Sequence, residues 1–114
     1  MDETTMKRAR EAGRIDALTG LSRSILRHGL PNEARAEYRR AWKDTMDATE
    51  TLNAAFGALA RILSQAGSRS YCEYQRRADL RALRLAAELD NETFAADIRA
   101  IGGYLQSARY FLAY

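Results

Sequence analysis

From Tyr38 to Ala66 the side chains Tyr38, Trp42, Thr45, Thr49, Leu52, Phe56, Leu59, Leu63 and Ala66 recur at alternating intervals of four and three residues. Seven residues make almost two helical turns, so this spacing lays them along one side of an α-helix. The pattern persists for four heptads, too long for a strand. It predicts one helix over 31–66, opened by Pro31 in its first turn and stopped at Gly67. At 1.5 Å per residue such a helix is roughly 50 Å long. One short partner cannot cover it, so several other helices are expected along it.

The rest of the chain offers helices and no strands. There is no valine, whereas alanine, leucine and arginine are abundant. Scarce β-branched residues and plentiful helix formers both disfavour sheet. With 46% hydrophobic and 29% charged residues, the chain has enough apolar surface to order itself. Its 114 residues suit a single domain, 1–114.

Ile15, Leu18, Leu21 and Ile25 make the apolar side of a first helix over 14–28. Gly29 is suited to a left-handed stop, with Leu30 folding back on Ile25 and Pro31 following. Gly13 and Gly20 argue against one continuous rod, which leaves 1–12 as a frayed segment or a helical extension. Ser70 and Glu73 have capping-box spacing ahead of a third helix over 71–89. Tyr71, Tyr74, Ala78, Ala82, Leu85 and Leu89 define its inner face, widened by Leu80, Leu83 and Ala87. Asp90 is placed to cap a fourth helix over 91–112, with Leu89 and Phe94 as a hydrophobic staple. The expected fold is all-α, a single-domain antiparallel helical bundle of about four helices with one long helix. Within the long stripe, Leu52, Phe56, Leu59 and Leu63 are expected to be buried.

The fourth helix carries two stripes. Phe94, Ile98, Ile101, Leu105, Ala108 and Leu112 form a hydrophobic seam. About 200° away, at 100° per residue, lie Ala96, Ala100, Gly103, Ser107, Tyr110 and Tyr114. Gly102 and Gly103 each cost a helix interior about 0.8–1 kcal/mol relative to alanine, which calls for a compensating close approach. The candidate partner-binding residues are therefore Ala96, Ala100, Gly103, Ser107, Tyr110 and Tyr114, with Arg109 as a rim charge. The expected occupant is another protein or a second copy of the chain; the competing expectation buries both stripes inside the bundle.

Catalytic chemistry finds little support. His28 is the one histidine and Cys72 the one cysteine, which excludes an internal disulfide and a cysteine-based zinc cluster. His28 is expected near a helix C-terminus, where the helix dipole favours its cation. No Glu-x-x-His pair, glycine-rich phosphate loop, nucleophile elbow or zinc-protease motif occurs. No cofactor, metal or catalytic site is expected.

The formal charge is +3, and Lys7 and Lys43 are the only lysines among the basic residues. Arg69, Arg76, Arg77, Arg81 and Arg84 gather on the third helix beside Tyr71 and Tyr74, a mixture suited to nucleic-acid contact. Arg35, Arg39, Arg40 and Lys43 form a second basic group. Pairs at i, i+4 such as Glu73–Arg77, Arg40–Asp44, Lys43–Asp47 and Arg84–Glu88 instead describe ordinary solvated faces. The N-terminal MDETTMKRAREAGR lacks an apolar core, and no stretch is apolar enough to span a membrane. A cytoplasmic, non-enzymatic protein working through protein–protein contact is expected: an adaptor, a chaperone-like binder or an inhibitor. Inhibitors of bacterial defence complexes encoded by phages or mobile elements belong to this class. The alternative is a nucleic-acid binder using the arginine face of the third helix.

Overall fold

The computed structural model describes residues 2–65 and 67–112, the last five as backbone only. It is all-helical among those residues, with α1 at Glu3–Thr19, α2 at Arg35–Gln65, α3 at Glu73–Ala87 and α4 at Ala95–Leu112. Single-turn 3₁₀ segments at Asn32–Ala34 and Glu92–Phe94 lead into α2 and α4. Among the described residues no helix is long and apolar enough to cross a membrane. The helices pack as two compact units, Met1–Asp47 and Ala48–Tyr114, and α2 supplies residues to both.

The first helix differs most from expectation. It occupies Glu3–Thr19 instead of 14–28, because Asp2 caps it early, its carboxylate accepting from Thr5 N at 2.7 Å. Gly13 continues the helix, and Gly20 ends it in the left-handed conformation at φ 73°. The anticipated stop at Gly29 does form, but it closes an isolated turn. Leu30 N donates to Ile25 O and Gly29 N to Leu26 O, both at 3.1 Å, with Gly29 at φ 65°. This is the Schellman pattern, sealed by the buried pair Ile25 and Leu30.

Boundaries elsewhere shift by a few residues. The helix expected at 31–66 begins with the 3₁₀ turn after Pro31 and ends at Gln65; Ala66 lies outside the described residues. The helix expected at 71–89 covers 73–87. Its N-cap is Cys72 without a side-chain bond, so the Ser70–Glu73 capping box does not form. Ser70 instead donates its N–H to Ser68 Oγ at 3.3 Å. The helix expected at 91–112 has its regular part at 95–112, and Asn91, not Asp90, provides the cap by accepting from Thr93 N at 3.0 Å.

In the first unit the buried cluster is Ala9, Ala12, Ile25, Leu30, Ala34 and Tyr38. The inner face of α1 is therefore Ala9, Ala12, Gly13, Asp16 and Ala17, while Ile15, Leu18 and Leu21 are exposed. Gly13 is needed for this packing. A Cβ there would overlap the carbonyl oxygen of Tyr38, and would lie 3.0 Å from Trp42 N and 3.2 Å from Ala41 Cβ. Small residues on α1 let its backbone lie directly against the start of α2.

The second unit is centred on Leu52, Ala55, Leu59, Ile62, Leu83, Ala86, Ile101 and Leu105. Ile101 and Leu105 come from the predicted seam of α4, flanked by the partly buried Phe94 and Ile98. On α2 the expected stripe is only half correct. Leu52 and Leu59 are buried, but Phe56 is 41% exposed and Leu63 71% exposed. The core line runs through Ala48, Leu52, Ala55, Leu59 and Ile62, displaced by one residue toward the small side chains. On α3 the same displacement buries Asp79, Leu83 and Ala86 and leaves Tyr74 and Leu85 exposed. Phe56→Ala should thus cost no more than about 1.5 kcal/mol, whereas Leu52→Ala should cost about 2–5 kcal/mol. Urea melts of the two variants check this; equal losses would mean that Phe56 is core.

Candidate functional site

Each unit buries one carboxylate, and neither was anticipated. Asp16 has a fully buried side chain in the last turns of α1. Tyr38 Oη donates to its Oδ2, and Arg27 reaches the same oxygen at 2.8 Å. His28 Nε2 lies 3.0 and 2.9 Å from Oδ1 and Oδ2. The imidazole is therefore committed to Asp16 from the loop after α1, not to a helix terminus. Burial alone would raise the Asp16 pKa, but hydrogen bonds from Tyr38, His28 and Arg27 outweigh it and hold the value below the usual 3.8. Burial, then the bond to Asp16, pushes the Tyr38 phenol upward.

Asp79, midway along α3, repeats the device. Arg61 from α2 donates Nε and Nη2 to Oδ1 at 3.0 and 2.8 Å. Gln75 Nε2 adds a bond to Oδ1 at 2.9 Å, and Tyr71 Oη a bond to Oδ2 at 2.8 Å. Burial opposes ionisation here too, and the donors from Arg61, Tyr71 and Gln75 again prevail, so the pKa is lowered. Burial first, and the bond to Asp79 second, raise Tyr71 to about 12. Both acids are saturated with donors. That makes them ties between chain segments, with no lone pair poised to take a proton from a substrate. Among the described residues no three His, Cys, Asp or Glu side chains gather as a metal site.

The second stripe of α4 faces outward. Ala96, Ala100, Gly103 and Ser107 are exposed, whereas the competing expectation buries them within the bundle. Tyr104 shares this face and is 47% exposed. Among the described residues, no atom apart from chain neighbours and the helix's own backbone lies within 4 Å of where a Cβ would sit on Gly102 or Gly103. Close packing among the described residues therefore does not account for either glycine. Ser107 Oγ turns back to Gly103 O at 3.4 Å. Tyr114 and the side chains of Arg109 and Tyr110 lie outside the described residues.

The predicted arginine group divides. Arg77, Arg81 and Arg84 share an exposed face of α3 with Tyr74. Arg76 and Arg77 both reach Glu73, at 3.7 and 2.9 Å, in the way of a solvated face. Arg69 precedes the helix instead of lying on it. Tyr71, expected beside the arginines as a stacking platform, is turned in to Asp79. Of the second basic group, Arg40 reaches Glu37 at 3.7 Å. Arg35 and Arg39 line a surface cleft together with Arg23, which the sequence pattern did not single out.

No family model, no curated protein and no solved structure matches the chain.

Proposed function

We propose that the protein acts without catalysis, by docking the outward face of α4 on another protein. The observation that supports this is the helix-interior Gly103 on an exposed face with Ala96, Ala100 and Ser107, flanked by Tyr104, where among the described residues nothing outside the helix's own backbone comes within 4 Å of an added Cβ. Alanine would fit at Gly103 and would favour the helix by about 0.8–1 kcal/mol. A glycine kept at that cost is explained by a backbone that must come close when the partner is bound. Small side chains allow the approach, and tyrosine supplies contact area that is largely rigid and amphipathic. Exposed apolar side chains at Leu63 and Leu85 add to the docking character of this unit.

The test separates stability from binding. Gly103→Ala should raise the urea midpoint, by an amount equivalent to about 0.5–1 kcal/mol. Gly103→Leu should fold equally well yet lose the complex captured from the native host and sized by sedimentation. A second copy as the occupant would appear in the same sedimentation run as a dimer of the wild type that Gly103→Leu abolishes. Unchanged mass and unchanged capture in Gly103→Leu would sink the proposal.

The second reading, nucleic-acid binding, rests on the exposed face of Tyr74, Arg77, Arg81 and Arg84. Phosphate contacts release counterions, so such binding would weaken steeply with salt and would flatten in the triple alanine variant of the arginines.

A further inference from the structure

The first unit contains an open cleft of about 380 Å³ lined by Arg23, Ser24, Ile25, Leu26, Arg35, Tyr38 and Arg39. Three guanidinium-bearing residues thus converge from two segments, the loop after α1 and the first turns of α2. None of the lining residues is acidic. Their neighbours in sequence behave differently: Arg27 reaches Asp16 at 2.8 Å and Arg40 reaches Glu37 at 3.7 Å. Among the described residues Arg23, Arg35 and Arg39 have no carboxylate partner. Like charges gathered without a counter-charge repel one another, and a bound anion relieves that repulsion.

Other features suit the cleft to a ligand. The Arg23 guanidinium lies 4.9 Å from the centre of the Trp42 ring, a cation–π distance that holds the side chain in place before anything binds. Ser24 Oγ accepts from Arg27 N at 3.3 Å, which leaves its own O–H free to donate. Ser24 N donates to Tyr38 Oη at 2.9 Å, fixing the loop against α2. Leu26, 84% exposed, stands at the rim as an apolar surface without cover.

We propose that this cleft binds a small organic phosphate, with the phosphate on Arg23, Arg35, Arg39 and the Ser24 hydroxyl, and the organic part against Leu26. Guanidinium forks match phosphate oxygens two at a time. Three of them in one place suit a compact tetrahedral phosphate, whose two or more charges and several oxygens surround one centre, better than planar carboxylates that each carry one charge on two oxygens. A volume of about 380 Å³ falls at the small end of ligand pockets, roughly 300–1,000 Å³, which favours a nucleotide-sized molecule over a polymer. This site lies in the first unit and does not depend on the α4 face.

Calorimetric titration of the full chain with ADP, pyrophosphate, citrate and a deoxythymidine 20-mer, at fixed ionic strength, tests the inference. ADP and pyrophosphate should bind and citrate should bind at least tenfold more weakly. Arg39→Gln should weaken both phosphates at least tenfold, and Arg23→Gln likewise, while Arg81→Gln on α3 changes neither. Leu26→Ser should weaken ADP about threefold or more and leave pyrophosphate unaltered. Circular dichroism of each variant confirms that these exposed substitutions leave the helices intact. Absence of phosphate binding at millimolar concentration, equal affinity for citrate, insensitivity to Arg39→Gln, insensitivity of ADP to Leu26→Ser, or a 20-mer bound more than tenfold tighter than ADP would each overturn it.

Discussion

Gly13→Leu is expected to disrupt the first unit, with a loss of about 3 kcal/mol or more in a chemical melt. The obstacle is backbone, not a movable side chain: a Cβ on Gly13 would meet the Tyr38 carbonyl oxygen and crowd Trp42 N. Even Gly13→Ala should destabilise, although alanine is the better helix former by about 0.8–1 kcal/mol. Its sign is the informative part. Gly103→Ala, where no described residue outside the helix's own backbone comes within 4 Å, gains the propensity, whereas Gly13→Ala must separate α1 from α2 to fit. Separating them also pulls Asp16 from Tyr38, so loss of the Tyr38 phenol's hydrogen bond, read by ultraviolet resonance Raman, should accompany the loss of stability. If Gly13→Ala is as stable as the wild type, the two backbones are not in contact.

Asp79→Ala is expected to cost about 3 kcal/mol, because it removes the shared acceptor of Arg61, Tyr71 and Gln75. The estimate sits at the low end of the range for breaking a buried pair, since Arg61 is 44% exposed and can turn to water. A loss under about 1 kcal/mol would show that the cluster does not tie α2 to α3.

The pH dependence has a definite sign. Asp79 is more acidic in the folded protein than its ordinary 3.8. Its contribution is therefore complete above that value and disappears as pH falls through the lower, folded pKa. Tyr71 acts at the other extreme: its pKa rises from 10.0 to about 12 on folding. The unfolded chain loses that proton first, so stability should decline as pH climbs from 10.0 to about 12. Tyr71→Phe should flatten this alkaline decline and leave the acid limb in place. An unchanged alkaline limb in Tyr71→Phe would assign the decline to other groups.

Much of the architecture was legible in local chemistry. The long helix marked by the heptad run, the left-handed turn at Gly29 and the seam of Ile101 and Leu105 are properties of short stretches, and each appears in the fold. Periodicity tells which residues share a side of a helix, and stop signals act through the backbone of a few neighbours. The sequence by itself thus determined an all-α chain with one long helix, and it marked α4 as carrying two low-charge faces.

Only the tertiary structure decided which line along each helix faces inward. On α1 the buried line runs through the small residues Ala9, Ala12, Gly13 and Ala17, and on α2 and α3 alanines alternate with Leu52, Leu59, Ile62 and Leu83, while Ile15, Phe56, Leu63 and Leu85 stay exposed. Where α1 and the start of α2 come close at Gly13, side-chain volume is excluded, so Ile15 and Leu18 do not sit in that contact. Small residues serve close backbone packing at Gly13 on α1, against Tyr38 and Trp42. Asp16 and Asp79 escaped for a related reason. A carboxylate in a helix reads as solvated surface until its donors are known, and those donors, Tyr38, Arg27 and His28 or Arg61, Tyr71 and Gln75, come largely from other segments. Burial of a charge is a property of the assembled neighbours, which no single stretch of chain contains.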